Sequence, residues 1–266
     1  MNEPRIAVEC ATLDEHLRQR AAELASELAL PFLRDGDTDT SPYEFLLCVG
    51  EKGIELRDSA AGGERPLRVN FVTGSTAFRK RSANQRRQLI ARAIGLQKGT
   101  CTLFDATAGL GRDAFLFACL GCTVTAVERS PILWALLRDG LARAAESNVS
   151  GLRAIVDRIS LFQGDSRDSL HDLPSEGRPD VVYIDPMYPS SLSKKSALAK
   201  KEMRVCRRLV GDDDDATALL AVAREFANRR VVVKRHRHAA PLAPGASVTY
   251  KGSIVRYDAY VRTGNA

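Results

Sequence analysis

Residues 101–129 constrain the fold of this 266-residue chain more than any other stretch. The apolar run at 102–106 (Thr-Leu-Phe-Asp-Ala) predicts a buried strand, broken at Gly109 and Gly111. A helical pattern then carries Phe115, Leu116 and Cys119. After Gly121 the β-branched run 123–127 ends on Glu128. Strand, glycine turn, helix and a strand with a terminal acid make one half of a nucleotide-binding α/β sheet. Glycines, lacking a Cβ, let the backbone come close to a ligand, and Glu128 can accept two hydrogen bonds from a ribose diol. By spacing alone, Gly109-Leu-Gly-Arg-Asp-Ala114 also fits the dinucleotide fingerprint. The stretch therefore specifies an adenosine-type cofactor and leaves its identity open. A tight βα turn followed by an ordinary surface Glu is the alternative reading.

The length accommodates one large α/β domain and a smaller unit. No run of 18 apolar residues and no charged-then-apolar leader is present, so neither a membrane nor export is indicated. Six scattered cysteines without a leader point to the cytoplasm. Cys119 and Cys122 have CxxC spacing, but no second pair or nearby His completes a zinc set; both are expected as small buried hydrophobes, and no metal is expected.

The net charge of +6 is unevenly spread. Residues 1–77 carry 8 basic and 14 acidic side chains, 78–104 carry 7 basic and none acidic, and 190–260 carry 15 basic against 7 acidic. Two basic tracts flanking the cofactor turn suggest a polyanion laid across the site; solvated helix faces would give the same charge pattern.

From the start of the chain, Leu13, Leu17, Ala21, Leu24 and Leu28 space a helix over 12–30 that Pro31 stops. Residues 45–49 and 54–56 around Gly50-Glu-Lys-Gly53 predict a hairpin, and 67–72 alternates like a further strand. Residues 78–98 predict a basic helix with Leu89, Ile90, Ala93 and Ile94 inward and Arg79, Lys80, Arg81, Arg86 and Arg87 outward, suited to phosphate contact. A helix from Pro131 to about Ser147, a strand at 159–162 ending in Gly164-Asp165-Ser166, and a helix over 216–228 follow. Val231-Val-Val233 is a central strand, with an antiparallel pair at 247–250 and 256–261. His171, His236 and His238 lack a ligand constellation, and Lys234-Arg-His-Arg-His238 is read as phosphate-facing charge.

The second informative stretch is Asp180-Val-Val-Tyr-Ile-Asp185-Pro186-Met187-Tyr188-Pro189. A buried strand delivers a carboxylate, a proline and an aromatic ring to its carboxyl end. Pro186 removes a backbone donor, so the Asp185 carboxylate and nearby carbonyls converge as acceptors beside the flat face of Tyr188. Acceptors plus a stacking ring suit an exocyclic amino group on a nucleobase.

Taken together, Asp105-Ala-Thr-Ala-Gly-Leu-Gly-Arg-Asp-Ala114, Glu128-Arg129, Asp185-Pro-Met-Tyr-Pro189, Lys200-Lys-Glu-Met-Arg-Val205 and Val231-Val-Val-Lys-Arg235 resemble the bacterial ribosomal RNA small subunit methyltransferase J family over roughly residues 70–262. That family uses S-adenosylmethionine to methylate N2 of a guanine near the 3′ end of 16S rRNA. The resemblance implies a Rossmann-like class I methyltransferase sheet with a terminal antiparallel strand pair over 78–266; residues 1–77, by their own helix and strand pattern, read as a small N-terminal α+β cap. The resemblance also implies cofactor binding by Asp105, Gly109, Gly111, Arg112, Asp113, Glu128, Arg129, Asp165, Ser166 and Asp185. Catalysis falls to Asp185, Pro186 and Tyr188, and contact with 16S rRNA or the small ribosomal subunit to the basic tracts 79–87, 194–208 and 234–238. The family more often has two serines at 165–166, and some relatives have Phe at 188. The alternatives are methylation of another nucleic-acid amino group, a nicotinamide-dependent oxidoreductase using the GxGxxA turn, and a catalytically dead RNA-binding module.

Overall fold

The computed structural model describes residues 4–10, 12–33, 40–60, 65–73, 85–96, 101–186, 197–211 and 215–262, with backbone alone at 85–88 and 197–201. The expected catalytic ring of Tyr188, and Arg79, Lys80, Arg81, Lys194 and Lys195 of the basic tracts, lie outside the described residues.

Among the described residues the N-terminal region forms a four-stranded sheet in the order β2-β1-β3-β4. Its strands are β1 (Ile6–Cys10), β2 (Phe32–Leu33), β3 (Phe45–Gly50) and β4 (Gly53–Asp58). Helix α1 (Glu15–Glu27) is capped by Asp14, whose carboxylate accepts from Leu17 N at 3.1 Å. It buries Ala21, Leu24 and Ala25 against the sheet. Ile-Ala-Val-Glu-Cys at β1, to which the sequence reading assigns no strand, pairs in parallel with both β2 and β3.

The strand expected at 67–72 does not form. Only Leu67 makes an isolated bridge, to Leu56. Asn70 then accepts from Val72 N at 2.9 Å and from Thr73 N at 3.3 Å, turning the chain out of extended pairing. The alternation serves a different surface: Phe71 stacks on Phe115 with centroids 4.5 Å apart, and Val69 packs over Gly140.

The second sheet has seven strands among the described residues, ordered β10-β11-β9-β8-β5-β6-β7. Five are mutually parallel: β5 (Thr102–Asp105), β6 (Thr123–Glu128), β7 (Ile159–Gln163), β8 (Val181–Ile184) and β9 (Arg230–His236). At the edge, β11 (Val255–Val261) lies antiparallel between β9 and β10 (Val248–Lys251), which is the expected terminal pair. The helices are α2 (Gln85–Ala93), α3 (Arg112–Cys119), α4 (Pro131–Ala145), α5 (Leu152–Val156), α6 (Ser166–His171), α7 (Ala197–Val210) and α8 (Ala216–Phe226).

Period-two alternation divides the central strands between two apolar layers. Leu103, Val181, Tyr183 and Val232 join the cluster containing α3 and α4, which continues into the N-terminal sheet. Phe104, Val182, Ile184, Val231 and Val233 join α8 on the other face. Strands β6 and β7 lie on one side of β5, and β8 and β9 on the other, so the chain reverses direction between β5 and β8. In open α/β sheets the crevice at such a reversal, beyond the strands' carboxyl ends, is where ligands bind.

The cap is fastened to this layer through the buried Asp139 of α4. Its carboxylate accepts from Arg20 at 2.6 Å, Arg143 at 2.8 Å and the Ile54 backbone at 3.1 Å. Gly53 stands at φ +96° in the β3–β4 turn, where any Cβ would overlap Asp139 and Arg143. Among the described residues no helix is long and apolar enough to cross a membrane.

Candidate active site

The turn after β5 is built largely from backbone bonds. Ala106 N donates to Tyr183 O at 2.9 Å and Ala108 N to Val127 O at 3.0 Å, so the turn is tied to β8 on one side and β6 on the other. Gly109 N donates to Glu128 Oε2 at 2.6 Å, while Glu128 Oε1 accepts from Ser130 N at 2.8 Å. Glu128 is 5% exposed and anchors the turn at the carboxyl end of β6. A carboxylate can accept about four hydrogen bonds, so two backbone donors are compatible with a ribose diol.

The two glycines differ in purpose. Gly109 has φ +53°, and a Cβ there would come no closer than 3.9 Å to Thr107 O, leaving open space above the turn. Gly111 has φ +71° and caps α3, but a Cβ there would overlap the Leu137 side chain. Its missing side chain makes room for Leu137 of α4.

Across the turn, acid and base side chains converge. Lys234 Nζ lies 2.6 Å from Asp113 Oδ2 and 2.7 Å from Asp185 Oδ2. Tyr183 donates its hydroxyl to Asp113 Oδ2 at 2.7 Å. Asp185 N donates to Thr107 Oγ1 at 2.7 Å, and Thr107 N to Asp105 Oδ1 at 3.2 Å, joining the ends of β8 and β5. Pro186 follows in a buried position. Ser166 donates to Ala106 O at 2.7 Å and pins α6 to the same turn.

Electrostatics follow from this packing. Asp105 is 1% exposed, and burial, reinforced by the neighbouring Asp113, pushes its carboxyl up to about 8, so it is protonated at neutral pH. Burial alone would pull the Lys234 ammonium down, but Asp113 and Asp185 outweigh it and hold it well above its ordinary range. Burial, with Asp113 and Asp185 adding to it, drives the Tyr183 hydroxyl far upward, so it serves as a donor.

Lys234 therefore does not belong to the phosphate-facing tract at 234–238. The signal is present in β9: alternation places residue 234 on the face of Val232, towards α3, and away from that of Val231 and Val233. Sequence reasoning also misses Tyr183, because a tyrosine inside a buried strand looks like core. The remaining rim residues are engaged as follows. Arg112 pairs with Glu202 of α7 at 2.6 Å, and Arg129 with Asp215 at 3.2 Å. Asp165 caps α6 and pairs with Arg167 at 2.6 Å, and that bond holds its carboxyl below the usual range. Arg208, in the tract 194–208, turns to the cap and pairs with Asp58 at 2.7 Å and Glu44 at 3.1 Å.

A family model described as "Putative SAM-dependent methyltransferase" matches residues 34–262. A protein of Thioalkalivibrio sulfidiphilus named ribosomal RNA small subunit methyltransferase J is 44% identical over 98% of this chain and 99% of its own length. One of the same name from Pseudomonas aeruginosa is 44% identical over 97% of this chain and 95% of its own. This chain belongs to the ribosomal RNA small subunit methyltransferase J family. The crystal structure of a SAM-dependent methyltransferase from Neisseria gonorrhoeae shares the fold, with a TM-score of 0.75 and 32% identity over 98% of this chain and 97% of that one.

As a member of the methyltransferase J family the protein is S-adenosylmethionine-dependent. The crevice fits that group. Glu128 offers a diol acceptor, and Gly109 leaves open space above the turn. With Asp105 protonated, two carboxylates, Asp113 and Asp185, face the one Lys234 ammonium among the described residues of the cluster. That suits a ligand that is cationic at sulfur.

Proposed function

We propose that this protein transfers a methyl group from S-adenosylmethionine to the exocyclic N2 of a guanine in 16S rRNA of the small ribosomal subunit. The observation that carries this reading is Asp185-Pro186 at the carboxyl end of β8, in the reversal crevice, with the carboxylate held in place by Lys234. The names of the relatives, which are small-subunit rRNA methyltransferases, supply the substrate class.

The cofactor supplies a methyl group already activated by its positive sulfur, so the protein's task is chiefly alignment. Guanine N2 is a weak nucleophile because its lone pair is delocalised into the ring. In this reading the base leaves its stack and enters the crevice. Asp185 accepts one N–H, and a carbonyl beside Pro186 accepts the other. Both bonds draw the lone pair towards the methyl donor. Tyr188, beyond the described residues, holds the ring flat. An ammonium 2.7 Å away favours the ionised carboxylate. Asp185 then serves as an acceptor that orients the amine, and the proton released after transfer passes to water. Residues 78–266 carry this chemistry, and residues 1–77 brace it through Asp139. The cations at 79–87 and at 194–207 face the rRNA.

The test is direct. Small subunits from a strain lacking the gene are incubated with the purified protein and S-adenosylmethionine, and the nucleosides are separated by mass. A gain of N2-methylguanosine at one site of 16S rRNA supports the reading. Methyl transfer to another atom or another RNA refutes it.

A further inference from the structure

Far from the crevice, three arginines surround one small polar pocket of about 180 Å³. Arg224 lies in the last turn of α8, Arg230 opens β9, and Arg262 follows β11. Antiparallel pairing of Arg230 with Val261 brings the two strand ends together. Each guanidinium is held by a neutral group. Arg224 lies over the Tyr260 ring, 5.4 Å from its centroid. Arg230 donates to Ala93 O at 3.2 Å and Arg262 to Ala227 O at 3.3 Å. The remaining lining residues are Ala227, Val231, Tyr260 and Val261, none of them acidic. Among the described residues no carboxylate pairs with any of the three. The Arg230 Nε is also buried without an acceptor.

Alternation turns Arg230 with Val232 to the opposite face, where its guanidinium bonds Ala93 O, so the charge at the pocket comes from Arg224 and Arg262 on the α8 face. Two cations without a carboxylate partner repel each other, and an entering anion relieves that cost. Planar guanidiniums match phosphate oxygens in geometry as well as charge, and a pocket this small and polar takes a phosphate group more readily than a base. The pocket sits at the amino end of β9, while Lys234 marks the crevice four residues on, about 13 Å along the strand. A mononucleotide in the crevice cannot reach it, but a long polynucleotide can.

We propose that this pocket grips a backbone phosphate of the RNA substrate, so that the enzyme holds the RNA at both ends of its parallel strands. The proposal rests on the reading that the substrate is RNA. Its test uses the full chain with Arg224→Gln, Arg262→Gln and the double variant, alongside Arg224→Lys, which keeps the charge. Binding of a long 16S rRNA 3′-domain transcript and of a short hairpin confined to the crevice is followed against salt concentration. The double variant should bind the long transcript several-fold more weakly, with a log–log salt slope shallower by about 0.7 to 0.9 for each phosphate no longer neutralised. Binding of the hairpin and S-adenosylmethionine affinity should stay at parent values in a variant that remains folded, and Arg224→Lys should retain most of the parent slope. A parent-like slope for the long transcript overturns the proposal, and so does an equal loss for the hairpin. Stabilisation of the parent by inorganic phosphate, abolished in the double variant while RNA binding is unchanged, assigns the pocket to a free phosphate and equally overturns it. Methyl transfer by the parent is scored separately. If the long transcript needs the pocket but receives no methyl group on guanine N2, the functional reading fails and the pocket stands.

Discussion

The Lys234 ammonium lies 2.7 Å from the Asp185 carboxylate across 49 positions of sequence, and 2.6 Å from Asp113 across 121. One cation thus sets the spacing of two carboxylates that would otherwise repel each other across the crevice. It also fixes the orientation of the Asp185 carboxylate at the end of β8.

Lys234→Met removes that cation and leaves like charges to raise each other's proton affinity. Methyl transfer at saturating S-adenosylmethionine should slow by on the order of 10², the typical effect of a misplaced reacting group. The pH–rate profile should gain an ionisation displaced upward from the ordinary carboxylate range. Lys234→Arg should restore part of the rate, since the charge is kept and the geometry changed. A Lys234→Met profile that overlays the parent's would remove Lys234 from the site's function.

Asp185→Asn replaces one acceptor oxygen with a donor, so the pocket presents hydrogens to an amine that also presents hydrogens. The rate should fall by on the order of 10²–10⁴. Single-turnover transfer is the measurement, with cofactor and RNA affinities determined separately. Parent-rate turnover by a folded variant that binds both would place the chemistry elsewhere.

Glu128 serves two masters, a proposed ribose diol and the backbone of the turn, and two substitutions separate them. Glu128→Ala should weaken S-adenosylmethionine binding by about 1–3 kcal/mol and also lower the melting temperature, because Gly109 N and Ser130 N lose their acceptor. Glu128→Gln keeps one acceptor oxygen and should spare more of the stability than of the binding. Calorimetry with unchanged affinity in both variants would reassign the ribose contact.

Gly111→Ala introduces a Cβ into the Leu137 side chain at φ +71°. Overpacking and left-handed strain together should cost about 2–4 kcal/mol. In the Leu137→Ala background the overpacking part should vanish. Chemical denaturation of the four proteins gives the coupling energy, and additive effects would show that Leu137 is not the obstacle.

Asp105 gives the fold a pH signature. Its folded-state value, about 8, lies above the ordinary carboxylate range, so the folded protein holds this proton more tightly than the unfolded chain. The stability this confers is complete below about pH 4 and is lost as pH rises towards 8. Asp105→Asn mimics the protonated form and can still accept from Thr107 N. The stability difference between variant and parent should therefore grow in the variant's favour between pH 4 and 8. Parallel pH–stability curves would show that Asp105 is ionised in the folded protein.

Local pattern determined most of the architecture. The glycine turn between 102–106 and 123–128, the Asp185-Pro186 strand end and the antiparallel terminal pair are all written in neighbouring residues. Period-two alternation and turn chemistry act over a few positions, which is why those elements were legible. Even the family resemblance rests on such short runs. The sheet order decided the rest. Lys234 reads as one charge in a basic string until β9 is set beside β8 and its even-numbered residues turn towards α3. Gly111 reads as a turn glycine alone until Leu137 of α4 is packed against the position its Cβ would take. The alternation at 67–72 reads as a strand until Phe71 finds Phe115. In each case the partner lies on another element, and a side chain's role depends on what the packed chain brings within a few ångströms of it.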